Sequence, residues 1–168
     1  MDIGYNSEYT KLQSVALHLP RKEELEMMSA KDAMYVTEPD YKKVLKEFEQ
    51  YVKLLWSLDI DVYTDSEMSV EYHPNSIYMR DIAGIMPDGI ILGNPKYDVR
   101  KPEKKNFEKF LDYHNYKGNV IDTNSDFEGA DMFWTKPNEV TLSVGNRTSL
   151  KSFDYLKQMY SRKGIKFR

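Results

Sequence analysis

Apolar positions recur along this chain in two alternating rhythms, and the alternation predicts its elements. Residues 13–19 (Gln-Ser-Val-Ala-Leu-His-Leu) form a short apolar stretch closed by Pro20, the pattern of a buried strand. Residues 21–39 are charged and irregular, with Glu24, Glu26, Met27 and Met28 suited to one helical turn. Asp40 then caps a helix. In it Tyr41, Val44, Leu45, Phe48, Tyr51, Val52, Leu55 and Trp56 recur at three- and four-residue steps opposite a Lys/Glu face. Such a stripe is the usual core face of a helix. Ile60-Asp61-Val62-Tyr63 follows as a strand.

The rhythm then repeats. Residues 76–80 and 82–86 read as extended, Pro87-Asp88-Gly89 as a turn, and Ile90-Ile91-Leu92 as the next strand. A helix over 102–115 turns Phe107, Phe110 and Leu111 inward; Gly118 ends that segment and Val120-Ile121 opens a strand. Met132-Phe133-Trp134 and residues 140–144 flank the turn Lys136-Pro137-Asn138-Glu139. Leu150, Phe153, Leu156 and Met159 mark a last helix, closed by Gly164 before Ile165-Lys166-Phe167. The order is hairpin, helix, strand, with helix-to-strand joints near Leu58, Gly118 and Gly164, about 50 to 60 residues apart. This predicts an α/β chain of β-β-α-β repeats in one domain, 1–168, with units over roughly 10–65, 74–122 and 123–168 and no linker.

Composition narrows the classes. With 168 residues, 40% hydrophobic and 13% aromatic, the chain can bury one core. A net charge of −3 with both signs interspersed gives no nucleic-acid surface and no polybasic membrane patch. The amino-terminal stretch Met1-Asp2-Ile3-Gly4-Tyr5-Asn6 lacks the apolar core of a signal peptide, and no apolar run approaches the roughly 20 residues of a membrane span. The absence of cysteine excludes disulfides and thiolate–zinc sites within these residues and fits a cytoplasmic protein.

Three polar clusters carry the candidate chemistry: Asn75-Ser76-Ile77-Tyr78-Met79-Arg80-Asp81, Phe127-Glu128-Gly129-Ala130-Asp131 and Gly145-Asn146-Arg147-Thr148. Each sets charge against the end of an apolar stretch. A guanidinium is planar, permanently charged and matches a carboxylate two N–H groups at a time. Asp81 and Glu128 at its edges would fix its plane and leave the carbon open to attack. Arg100 and Arg147 would complement them by holding a carboxylate at the ligand's far end. Asn75 would bond polar substituents, and Tyr78 or Trp134 would stack on or wall off the guanidinium. A metal loop through Asp59, Asp61 and Asp65 is disfavoured, because Ile60, Val62 and Tyr63 read as strand and a calcium loop's glycine is missing. Ser76, Ser143 and Ser149 have no histidine at a fixed spacing, so no serine triad is supported.

The stretches 74–81, 127–131 and 145–148, with Leu19-Pro20 and Glu38-Pro39-Asp40-Tyr41 ahead of them, resemble the guanidine-modifying enzyme superfamily. That superfamily includes arginine deiminase, dimethylarginine dimethylaminohydrolase and the amidinotransferases. The similarity runs over essentially the whole chain in the family's order. Ala130 stands where many relatives have a second glycine. The resemblance implies a pentein-type α/β propeller, with about three of its five units present here. It implies Asp81 and Glu128 as guanidinium-binding carboxylates, Glu128 also moving protons, and Arg100 and Arg147 on the substrate carboxylate. It implies no metal or other cofactor, and a cysteine nucleophile assisted by a histidine.

Here the chain departs from the family. It has no cysteine, and no histidine follows His114. His18 on an apolar strand reads as a satisfied core residue, and His114 as a favourable charge near a helix carboxyl end. The expectation is the amino-terminal part of an arginine deiminase- or amidinotransferase-like enzyme, inactive until a complement supplies His and Cys. The alternatives are a non-catalytic guanidino-binding module and a structural remnant serving assembly. An open arc of units leaves a strand edge uncovered, which predicts a homo-oligomer or a complex with a second chain.

Overall fold

The computed structural model describes Tyr5 and residues 7–168. Two compact units divide them: Lys11–Met79, and Arg80–Arg168 with the described residues up to Thr10.

In the Lys11–Met79 unit, strand β1 (Ser14–Leu17) pairs in parallel with β2 (Asp61–Thr64). The crossover between them carries the short helix α1 (Lys22–Glu26) and the long helix α2 (Tyr41–Ser57). The side chain of Asp40 caps α2 by accepting from the Lys43 amide at 3.2 Å, as its place before the apolar stripe predicts. Val52 and Leu55 are buried, but Tyr51 and Trp56 of the same stripe stand exposed, Trp56 at 61%. A sheet of two strands about 4.8 Å apart is narrower than the stripe.

The other unit holds two three-stranded sheets of one design. In the first, β3 (Ala83–Met86) and β4 (Gly89–Leu92) form an antiparallel hairpin, helix α3 (Glu103–Tyr113) crosses over, and β5 (Asn119–Asp122) returns parallel to β4. In the second, β6 (Met132–Lys136), β7 (Glu139–Leu142), helix α4 (Leu150–Ser161) and β8 (Lys166–Phe167) repeat the same order. Each middle strand is flanked on both sides, and β4 is buried along its whole length. Ser149 caps α4 through the Ser152 amide, and Gly164, at φ 75°, ends the α4 segment in the left-handed region that favours glycine. Met86, Ile91, Phe127, Met132, Trp134, Val140, Leu142, Leu156, Tyr160 and Phe167 pack as the core. In these two sheets the β-β-α-β order is the one the sequence predicts, whereas the Lys11–Met79 unit has, among the described residues, only the parallel pair β1–β2 and no hairpin where the sequence pattern predicts one.

Residues 76–80 are not extended as their pattern predicts. Ser76 donates its hydroxyl to the His73 carbonyl at 3.0 Å, the Tyr78 amide bonds the Asn75 carbonyl at 3.0 Å, and Met79–Ile82 forms a 3₁₀ turn. Short polar side chains here offer the backbone local partners that compete with a strand ladder. No helix among the described residues is long and apolar enough to cross a membrane.

Candidate functional site

Asp81 and Glu128 both lie a few residues ahead of a hairpin, two before β3 and four before β6. Asp81 lies in the 3₁₀ turn Met79–Ile82 that leads into β3, and Glu128 immediately precedes the 3₁₀ turn Gly129–Asp131 that leads into β6. The carboxylates therefore stand at strand starts. Gly129 lets the two turns approach: a Cβ there would lie 2.1 Å from the Ala83 carbonyl oxygen and 2.6 Å from that of Arg80. Paired bonds between Asn94 and Phe127, 2.8 and 3.1 Å, tie the exit of β4 to the residue before Glu128. The Glu128 amide donates to the Thr148 hydroxyl at 3.1 Å, and that hydroxyl donates to Asp131 at 2.6 Å. Gly129→Ala should force backbone apart, cost about 1–3 kcal/mol and separate the carboxylates. A urea titration and a crystal structure of the variant check this.

Arg100 sits in the 3₁₀ turn Asp98–Arg100, just ahead of α3, and is only 4% exposed. Its Nε and Nη2 donate to the two oxygens of Glu103 at 2.9 and 2.7 Å. Its Nη1 donates to Asp81 at 2.6 Å and lies 3.8 Å from Glu128. Glu128, also 4% exposed, accepts from Nη1 of Arg147 at 2.9 Å. The Arg147 guanidinium lies 4.7 Å over the Tyr97 ring. Burial pushes the Glu103 carboxyl up; Arg100 opposes this, and the charges of Asp81 and Glu128 add to the rise. Three carboxylates thus crowd two guanidinium groups in little solvent.

The structure brings together four residues picked from the sequence, Asp81, Arg100, Glu128 and Arg147, and adds two that were not, Glu103 and Tyr97. Glu103 was visible as the i+3 partner of Arg100 ahead of an apolar helix. Arg100, expected on a ligand carboxylate, is bound instead to protein carboxylates. Trp134, considered as a wall for a ligand, is a core residue, 2% exposed, whose Nε1 donates to the Ile85 carbonyl at 3.0 Å. In the Lys11–Met79 unit, Asn75 is buried and donates to the Ala33 carbonyl at 2.9 Å, while Tyr78 is exposed.

His18 is a satisfied buried residue, though not for want of acids. Its Nε2 donates to Glu24 and its Nδ1 to Asp65, each at 2.6 Å. Burial alone would lower its pKa; the hydrogen bonds and charges of Asp65 and Glu24 outweigh that and raise it. Both ring nitrogens are thus held between carboxylates. Asp65 also accepts from the Leu19 amide at 3.0 Å and from Arg21 at 3.3 Å. His114 ends α3 with its ring 4.5 Å from Phe110 and 5.0 Å from Tyr113.

Among solved structures, the chain is similar to DDAH from Pseudomonas aeruginosa, a cysteine-to-serine mutant complexed with citrulline. The TM-score is 0.76 at 16% identity, over 95% of this chain and 60% of that one. It is similar to the N-terminal domain of ArgZ, bound to product, an arginine dihydrolase from the ornithine-ammonia cycle in cyanobacteria (TM-score 0.72, 11% identity, 94% and 57% covered). It is likewise similar to SxtG, an amidinotransferase from Microseira wollei in the saxitoxin biosynthetic pathway (TM-score 0.71, 13% identity, 99% and 61% covered). The chain spans about 60% of the length of these structures. No curated protein matches it. The structural likeness establishes the fold, a pentein-type α/β architecture of β-β-α-β units. The arginine deiminase family model matches residues 10–166, so the chain belongs to that family.

Proposed function

We propose that the Asp81–Glu128 cluster binds the guanidinium of an arginine-like small molecule, as part of an enzyme acting on a guanidino C–N bond. One observation carries this. The cluster of Asp81, Glu103, Glu128, Arg100 and Arg147 holds one more carboxylate than guanidinium, in a setting that excludes most water. A planar cation would balance that extra negative charge. Arg100, locked by Glu103, presents Asp81; Glu128 contacts the guanidinium and passes protons to the departing nitrogen; Arg147 meets the ligand's carboxylate.

In this reaction a thiolate adds to the guanidinium carbon, and the C–N bond breaks as the leaving nitrogen takes a proton. Water or an amine then releases the bound carbon. The 168 residues contain no cysteine, and no histidine follows His114. The thiolate and its base are therefore assigned to residues outside these positions, in the same or another polypeptide. The lack of cysteine also favours a second reading, a module that binds arginine without turning it over.

Calorimetric titration tests the shared core of both readings. Arginine should bind, and Glu128→Gln should weaken it about 10- to 100-fold, the loss of one charged hydrogen bond of roughly 1.5–3 kcal/mol. If no guanidino compound binds the wild-type chain, the proposal fails. Ammonia release from arginine by this chain alone would overturn the placement of the nucleophile outside it.

A further inference from the structure

The two arginines of the cluster are held in opposite ways. Arg100 is buried, gripped side-on by Glu103 through two bonds and by Asp81 through a third. Arg147 has a side chain 36% exposed and makes one bond within the cluster, Nη1 to Oε1 of Glu128 at 2.9 Å. Its guanidinium also rests on the face of Tyr97, 4.7 Å from the ring centroid. Arg100 cannot leave without stranding buried carboxylates. Arg147 can swing toward solvent at the loss of one bond and one ring contact.

The contact that Arg147 makes is the contact a ligand's guanidinium needs. Glu128 is already paired with a guanidinium, the protein's own. We propose that Arg147 is a displaceable internal competitor, and that binding is an exchange of ion pairs. The ligand's guanidinium takes Glu128 while the ligand's carboxylate draws Arg147 off it, with the Tyr97 face holding the released guanidinium within reach. The proposal rests on the guanidino-binding reading above and adds how that site selects its ligand.

Selection follows from the exchange. A ligand with both groups replaces the Arg147–Glu128 bond with two charge-assisted bonds. A ligand with the guanidinium alone must break the same bond and offers Arg147 nothing in return. Rejection of the simpler ligand is therefore built in as competition, beyond the loss of one favourable contact.

Two other roles for Arg147 make different predictions. A fixed carboxylate clamp, once removed, weakens arginine and leaves a carboxylate-free ligand unchanged. A structural ion pair, once removed, weakens both. Displaceable competition predicts opposite signs.

The test is calorimetry with arginine, butylguanidine and butylammonium on wild type, Arg147→Ala and Tyr97→Leu, with circular dichroism confirming that each folds. Wild type should prefer arginine to butylguanidine by about tenfold or more. Arg147→Ala should lose about tenfold in arginine affinity and gain about three- to tenfold for butylguanidine, with butylammonium unchanged. Tyr97→Leu, which keeps Arg147 but removes its resting face, should move butylguanidine in the same direction by a smaller factor. Butylguanidine that binds Arg147→Ala no better than wild type overturns the proposal. So does an equal gain for butylammonium, which would mark a general charge effect. If wild type binds neither guanidino compound, the guanidino-binding reading falls first and this one with it.

Discussion

Replacing Arg100 by alanine should lower the unfolding free energy by about 3–5 kcal/mol, because it strands Glu103 and Asp81 without the cation they share. Glu103 loses both of its bonds to Arg100, Asp81 loses its bond at 2.6 Å, and Glu128 loses a cation 3.8 Å away. The loss should depend on pH in a defined direction. The Glu103 carboxyl is already raised in the folded state. An acid raised on folding makes the native state bind more protons, so its contribution falls as pH rises from the ordinary carboxylate range through the raised value. Without Arg100 the rise is larger, and the variant's deficit should shrink as the pH is lowered toward 4.5. Urea midpoints at pH 4.5 and 7.5 check this; a deficit that is equal at both, or grows in acid, contradicts it.

A second substitution separates charge from packing. Arg100→Met with Glu103→Leu removes the cation together with the anion that grips it, and fills the site with carbon. Such replacements of buried pairs are often close to neutral, so the double variant should recover most of the stability lost on changing Arg100 to alanine. Guanidino binding should not recover with it, since Asp81 loses the group that orients it.

The repeat was legible because its punctuation is chemical. Asp40 and Ser149 must accept orphan amides at helix starts, Pro87-Asp88 breaks the β3–β4 ladder, and Gly164 takes the left-handed backbone that ends the α4 segment. The burial of Trp134 was also within reach, since it alternates with Met132 on one face of β6. Long-range pairing was not legible. Glu103 stands three residues from Arg100, but only the fold decides that Arg100 also meets Asp81 and that Arg147 meets Glu128 and stays half exposed. The turn at residues 76–80 was hidden for a related reason: alternating side chains suggest a strand, while the hydrogen bonds that defeat it are local and polar.

The same limit concealed the partners of His18, one on α1 and one after β2, and they set the other large effect. His18→Ala should cost about 3–5 kcal/mol at pH 6, leaving Glu24 and Asp65 facing each other without the imidazolium between them. Arg21, 3.3 Å from Asp65, offsets only part of that repulsion. The folded pKa of His18 is raised above its ordinary 6.5, burial lowering it and the bonds to Asp65 and Glu24 prevailing. Its stabilisation is therefore fully present below pH 6.5 and is lost as pH climbs through the raised value. Asp65 runs the other way. Its carboxyl is lowered despite burial, chiefly by His18, so its contribution holds above its ordinary 3.8 and is lost as pH falls through the lowered value. Between these limits both terms are complete, and the Lys11–Met79 unit should be most stable from about pH 4 to 6.5. Hydrogen exchange of the β1 and β2 amides, followed from pH 5 to 9 and corrected for intrinsic rate, measures the effect in that unit alone. Wild-type protection should decline above pH 6.5, whereas His18→Ala and His18→Gln should start lower and show no such decline. A wild-type profile flat through pH 9 would mean that no imidazolium holds these carboxylates together.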